Sequence, residues 1–270
     1  MTVHTMKGLR EQFKAVGKFH TPPELALLLR TFIPGEPARV YDPTCGAGAL
    51  LSVFPDSVAK FGQDIDAAAL ADAELLPNFT GALGDLFTEP AWVDERFEAI
   101  VANPPFSVKW EPQADERFMY APTVPTASRA DFAFLLHIVH MLADGGTAAV
   151  LSFPGVCYRM GREGQLREWL VRQQLVHEVN LIPGDTFVDT SIATVVLVLR
   201  KAPTDSILFS DREHDVERRV PLTDVEANNF TLSVTTYVQP PEPEREPFDP
   251  WEVEQAARRG ACRQLRTELT

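Results

Sequence analysis

From about residue 39 to residue 200, short apolar or β-branched runs alternate with longer segments whose apolar residues recur at helical spacing. That alternation predicts an α/β domain with a mainly parallel sheet and helices on both faces. Seven strands are expected, at "ARVYD", "VAKFGQDI", "FTGAL", "FEAIVAN", "GTAAVLSF", "LVHEVNLI" and "IATVVLVLR". Helices are expected at "PPELALLLRTF", with proline in its first turn, at "DFAFLLHIVHML", which stops at "ADGG", and at "EGQLREWLVRQ". In the last of these Leu166, Trp169 and Leu170 share one face.

The final two strands are joined by "PGDTFVDTS", too short and polar for a crossover helix, so they are expected to pair as an antiparallel hairpin closing the sheet. Past Lys201 the pattern weakens. "SILFSD" reads as one more strand, "TDVEANNFTLSVTTYVQ" as a turn with an extended segment, and the paired arginines Arg218 and Arg219 as solvated charges of a helix or loop. "PPEPEREPFDP" reads as a proline-rich linker over 239–250, followed by a terminal helix over 251–270.

Composition narrows the function. Hydrophobic residues at 45% and charged residues at 23% suit an ordinary core. Three scattered cysteines, Cys45, Cys157 and Cys262, offer neither a disulfide framework nor zinc spacing, so a reducing, cytoplasmic setting is expected. No apolar stretch reaches membrane-spanning length, so no membrane is expected among its partners. A net charge of −13 argues against surface-wide affinity for nucleic acid, which needs clustered Lys and Arg.

Four strand ends carry candidate chemistry. "VYDPTCGAGALL" places an acid, a turn and two glycines after the first strand and is expected to lead into a helix. Gly46 and Gly48 lack the third glycine of a dinucleotide fingerprint and the Lys-Ser/Thr of a phosphate loop, which favours an adenosine-type ligand. Asp42 suits a positively charged ligand group and would repel phosphates. "FGQDID" ends the next strand about 20 residues on, where an acid commonly takes ribose hydroxyls in such folds; Asp64 fits that role and Asp66 fits a helix cap. In "GDLF", Asp85 suits an adenine amino group and Leu86 the ring face.

The fourth end is "VANPPFS". Pro104 and Pro105 bias the residues before them toward extended backbone and donate no hydrogen bond, leaving carbonyls in fixed directions. The Asn103 side-chain oxygen and the Pro104 carbonyl would hold both N–H bonds of an aromatic amine, whose lone pair is otherwise delocalised. Phe106 would stack on the base, a contact of roughly 1–3 kcal/mol, and a base in duplex must be flipped to reach it. The proline- and charge-rich stretch 107–128 follows directly and is expected to be a substrate-facing insert. His137 and His140 sit three apart on a helix, but their apolar neighbours favour packing, and no metal is expected.

These motifs, in this order, resemble the N6-adenine DNA methyltransferases, and specifically the modification subunit of type I restriction-modification systems. "NPPF" is similar to the family's catalytic motif and "DPTCGAGALL" to its cofactor loop, including the Thr44–Cys45 pair. "GKFHTPPELALLL" resembles the segment that closes over the cofactor, "DFAFLLHIVHMLADGGTAAVLSFPGVCYR" the fifth strand with its preceding helix, and "LIPGDTFVDTSIATVVLVLRK" the closing hairpin.

The resemblance covers 17–238 and implies a Rossmann-like S-adenosylmethionine-dependent methyltransferase domain there, after a 1–16 extension. It implies that His20, Thr21 and Pro22 line the cofactor with Asp42, Thr44, Cys45, Gly46, Gly48 and Ile65, that Asp64 takes the ribose, and that Asp85 and Leu86 take the adenine. Asn103, Pro104, Pro105 and Phe106 would take a flipped adenine of DNA. Family subunits usually carry a sizeable helical domain ahead of the catalytic one, so a truncated subunit is expected, one that relies on a specificity or accessory protein for DNA. Relatives that methylate ribosomal RNA or protein amides share Asn-Pro-Pro-aromatic motifs and are the alternative.

Overall fold

The computed structural model describes residues 21–184 and 193–239. His20, the 1–16 extension, most of the "PGDTFVDTS" connection, the linker beyond Gln239 and the expected 251–270 helix lie outside the described residues.

The chain begins with helix α1 (Pro23–Thr31), which buries Leu25, Ala26 and Leu29 and has prolines before and within its first turn, where an N–H would go unpaired anyway. Strands β1 (Arg39–Asp42), β2 (Ala59–Asp64), β3 (Phe79–Leu83) and β4 (Phe97–Ala102) follow. Helix α2 (Ala67–Ala73) links β2 to β3, and Asp66 caps it, accepting from the N–H groups of Ala68 and Ala69 at 2.9 and 3.2 Å. After β4 come the one-turn α3 (Glu116–Met119), α4 (Asp131–Met141), β5 (Leu142–Ser152), the short α5 (Gly155–Tyr158), α6 (Arg162–Arg172), β6 (Val176–Ile182) and β7 (Thr194–Arg200). Strands β8 (Ser206–Asp211) and β9 (Val216–Pro221) and helices α7 (Leu222–Ala227) and α8 (Val234–Tyr237) complete the described fold.

All seven expected strands are present, and β8 and β9 extend the sheet to nine, in the order β3-β2-β1-β4-β5-β7-β6-β8-β9. Strands β1 to β5 are parallel, whereas β7 runs antiparallel to both β5 and β6. The expected hairpin is there, but its reversed strand lies inside the sheet rather than at its end. The reason is in the residues: β7 reads "TVVLVLR" and is buried from Thr194 to Leu199, so only a central position covers both of its faces.

Two further expectations are corrected. The turn with an extended segment after β9 is two short helices, because Val225, Val234 and Tyr237 bury themselves against the sheet, with the Tyr237 ring 4.2 Å from that of Phe209. Arg218 and Arg219 lie not in a loop or helix but on β9, whose outward charges and terminal Pro221 guard the sheet edge against further pairing.

Period-two burial divides the core between the faces. Val40, Ala99, Val101, Ala149, Leu151, Val196 and Val198 pack on the side of α1 and α2. Their neighbours Tyr41, Ile100, Ala102, Ala148, Val150, Leu197 and Leu199 pack on the side of α4 and α6. Each fully buried aliphatic side chain stabilises by about 1.5–3 kcal/mol, so a one-residue register slip would forfeit a whole face.

Candidate active site

Strand β1 has β2 on one side and β4 on the other, so the chain steps outward through β2 and β3 and then crosses back. The crevice at this reversal, beyond the carboxyl ends of the strands, is where open α/β sheets place ligands. Asp42 and Asp64 end β1 and β2, Asp85 and Asn103 follow the ends of β3 and β4, and the four form a row along that edge.

On the β1–β3 side the loops are tied to one another through the backbone. The two oxygens of Asp64 accept from Gly46 N at 2.7 Å and Asp66 N at 2.9 Å, and Cys45 N donates to Gln63 O at 3.0 Å. Gln63 pins the next loop, donating to Gly84 O and Glu89 O and accepting from Ala91 N. Asp85 is exposed, and its carboxylate accepts from Phe87 N at 2.8 Å, while the Leu86 side chain turns into the core.

Asp42 is 1% exposed and accepts from Thr44 N at 3.0 Å. Burial pushes its carboxyl up to about 8; the Thr44 N–H partly offsets this, and the charge of Asp64 adds to it.

The expected helix after the glycine loop is a run of turns instead. Gly46 and Gly48 take φ of +50° and +80°, which a right-handed helix cannot include, and Pro55 follows closely. A Cβ on Gly48 would lie 2.6 Å from Leu76 Cδ1, whereas one on Gly46 would meet nothing within 4 Å, so the loop is closed beneath and open above. Two further features fit a nucleoside-type ligand there. The buried Thr44 hydroxyl has no hydrogen-bond partner among the described residues, and Ile65 stands 74% exposed at the end of β2.

On the β4 side, Asn103 Nδ2 donates to Thr21 Oγ1 at 3.3 Å, which turns the Oδ1 atom the other way. Thr21 and Pro22 lie immediately before α1, so the segment flanking it reaches the strand ends. Pro104 is buried, Pro105 exposed, and Phe106 half-buried against the core beneath α1.

Ser107 takes a φ of +52°, and its N–H donates to Asp131 Oδ1 at 3.3 Å. Asp131 in turn faces Arg159, whose Nη1 is 3.9 Å from Asp131 Oδ2 and 3.5 Å from Glu163 Oε2. Among the described residues these three buried atoms have no hydrogen-bond partner, while the other Glu163 oxygen accepts from Arg129 at 3.1 Å.

The two histidines meet protein groups: His137 reaches Arg117 and Tyr41, and His140 reaches Val93 O. Gln63, Arg117, Asp131 and Arg159 went unrecognised from sequence. The available signal for Arg117 was the aromatic residues of a charge-rich insert, of which Trp110 and Phe118 are buried.

The open α/β sheet has the fold of solved S-adenosylmethionine-dependent methyltransferases. The family model "N-6 DNA Methylase" matches residues 5–239, and the chain belongs to that family. It is 33% identical over 240 residues to the type I restriction enzyme MpnII methylase subunit of Mycoplasma pneumoniae, a match covering 76% of this chain and 44% of that protein.

A second relative, the HindI methylase subunit of Haemophilus influenzae, is 26% identical over 73% of this chain and 50% of its own length. Among solved structures, the methyltransferase subunit of a type I restriction-modification system from Streptococcus thermophilus is similar at a TM-score of 0.74 and 26% identity, over 82% of this chain and 59% of that one. The chain spans about half the length of the relatives it matches. Among the described residues no helix is long and apolar enough to cross a membrane.

Proposed function

We propose that this chain is the catalytic core of a type I modification methyltransferase, transferring a methyl group from S-adenosylmethionine to N6 of adenine in DNA. The observation that carries the reading is Asn103 at the β1–β4 reversal, its amide nitrogen held by Thr21 so that Oδ1 is left to accept from a substrate amino group.

When bound, S-adenosylmethionine supplies an electrophilic methyl group on a sulfonium sulfur. The chain's residues do the rest. Asp64 accepts from the ribose hydroxyls, Ile65 covers the adenine ring and Asp85 accepts from its amino group. Asp42 faces the positively charged end, and Thr44 offers its unpartnered hydroxyl beside it.

Asn103 Oδ1 and the Pro104 carbonyl hold the two N–H bonds of the target amino group, while Phe106 stacks on the flipped base. These acceptors hold the amino group and stabilise the charge that would develop on its nitrogen when bound S-adenosylmethionine supplied the methyl group, and the extra proton would then pass to water. Acceptors aimed at that developing charge are worth about 10²–10³ in rate each.

Incubation with labelled cofactor and adenine-containing DNA tests the reading, with RNA and protein substrates in parallel. N6-methyladenine should form in DNA and fall by about a hundredfold or more in Asn103→Ala. Label appearing only in RNA or protein, or undiminished in the variant, would overturn it.

The net charge of −13 supports a second element: a partner carries most of the grip on the phosphate backbone. Methylation of bare duplex should then be slow and accelerate when a specificity subunit is added; efficient methylation by the isolated chain rules this element out.

A further inference from the structure

The insert 107–128 begins at the amino clamp, yet its middle does not face outward. Trp110, Arg117 and Phe118 are buried, and the Trp110 and Phe118 rings lie 5.0 and 6.4 Å from that of Phe87, on the loop after β3.

Arg117 is 1% exposed, and its guanidinium is fully engaged. Nη1 donates to Leu86 O at 2.7 Å and Nη2 to Phe87 O at 2.9 Å. Nε meets both oxygens of Asp115 at 3.0 and 3.0 Å, and Nη2 adds a 2.6 Å bond to Oδ2. Nη1 also meets His137 Nδ1 at 3.1 Å, whose Nε2 lies 3.3 Å from the Tyr41 hydroxyl next to Asp42. Desolvation first, and the adjacent Arg117 charge second, push the His137 imidazolium well below its ordinary range. The neutral ring therefore accepts from Arg117 at Nδ1 and donates to Tyr41 from Nε2.

Such a buried cation is tolerated because Asp115 neutralises it and four acceptors satisfy its donors. Two of those acceptors are consecutive main-chain carbonyls directly after Asp85. Their direction fixes the peptide planes of the loop and hence the position from which the Asp85 carboxylate meets a ligand.

We propose that Arg117 is a positioning residue for the adenine end of the cofactor, bracing the Leu86 and Phe87 carbonyls from within the insert. This rests on the reading of the strand ends as an S-adenosylmethionine site. Lysine at 117 reaches one carbonyl but cannot span two and Asp115 together. Asp115→Asn keeps the shape and loses the charge that holds the guanidinium.

Calorimetric titration of the parent chain, Arg117→Lys and Asp115→Asn with S-adenosylmethionine and with 5′-methylthioadenosine, which lacks the amino-acid end, tests the proposal. Thermal melts establish that each variant is folded. A brace at the adenine end predicts that both ligands weaken about tenfold or more, and by the same factor. The KM for cofactor should rise by more than kcat falls. Affinities within twofold of the parent in folded Asp115→Asn and Arg117→Lys would overturn the proposal, as would loss confined to the larger ligand. A parent chain that binds neither ligand is a different result, and it removes the cofactor-site reading itself.

Discussion

The two halves of the crevice are held in different ways. Beyond β1–β3, main-chain amides close each loop on its own acid, Asp42, Asp64 or Asp85, and Gly46 N and Cys45 N tie the first loop to the end of β2, all at 2.7–3.0 Å. Beyond β4–β5, the turn after Phe106 rests on a 3.3 Å bond to Asp131, which faces Arg159 at 3.9 Å through atoms that form no hydrogen bond among the described residues. Main-chain ties fix a loop with little side-chain entropy at stake, whereas long ionic contacts leave room to rearrange. The difference suits the proposed function, in which a small cofactor would enter a formed site and a base on a polymer would then be accommodated.

Substitutions at corresponding positions should separate the halves. The largest effect is expected of Asn103→Ala, with kcat down about a hundredfold or more while cofactor affinity stays near that of the parent. Asp64→Ala should show the reverse emphasis. It removes the acceptor proposed for the ribose and held by two backbone amides, so cofactor Kd should rise about 10–100-fold, and stability should drop as well. Titration calorimetry and single-turnover methylation distinguish the two patterns; equal losses in both constants for both variants would erase the comparison.

A smaller effect follows from Asp42, whose folded-state carboxyl is raised to about 8 from 3.8. Between those values the folded chain holds a proton that the unfolded chain has released. The contribution to stability is therefore fully present below about pH 4, declines as pH rises through 8 and is flat beyond. Melts of the unliganded protein should show this slope, and Asp42→Asn should flatten it. A positively charged ligand group beside Asp42 favours the ionised form, so cofactor binding at pH 7 should release a proton, visible as a dependence of binding enthalpy on the buffer's ionisation enthalpy.

The smallest expected effect is on the clamp side. Ser107→Gly relieves a left-handed φ of +52° at about 1 kcal/mol or less, seen as a slightly higher melting temperature together with slower methylation as the clamp loosens.

Much of this was legible along the chain. Alternation of buried and exposed faces marked the strands, Asp66 announced its helix, and Asp42, Asp64, Asp85 and Asn103 stood at strand ends where the structure gathers them. What escaped the pattern did so for physical reasons. β9 hid because an edge strand guarded by Glu217, Arg218 and Arg219 has the composition of a loop. The turns after Gly46 mimic a helix start until both glycines take left-handed backbone. Arg117 and Asp131 went unrecognised because charge in a sequence carries no record of the partner that allows its burial.

Cys45 illustrates one more consequence. Its thiol is buried in the glycine loop, packed so closely beside Gly62 that a Cβ there would lie 2.7 Å from the sulfur. Burial first, then the charges of Asp42 and Asp64, push the thiol far up its scale, so little reactive thiolate exists while the loop is shut. An alkylating reagent can therefore capture this sulfur only when the loop opens. The rate of labelling becomes a clock for that opening, and its slowing by a ligand a direct readout of occupancy that needs neither DNA nor turnover.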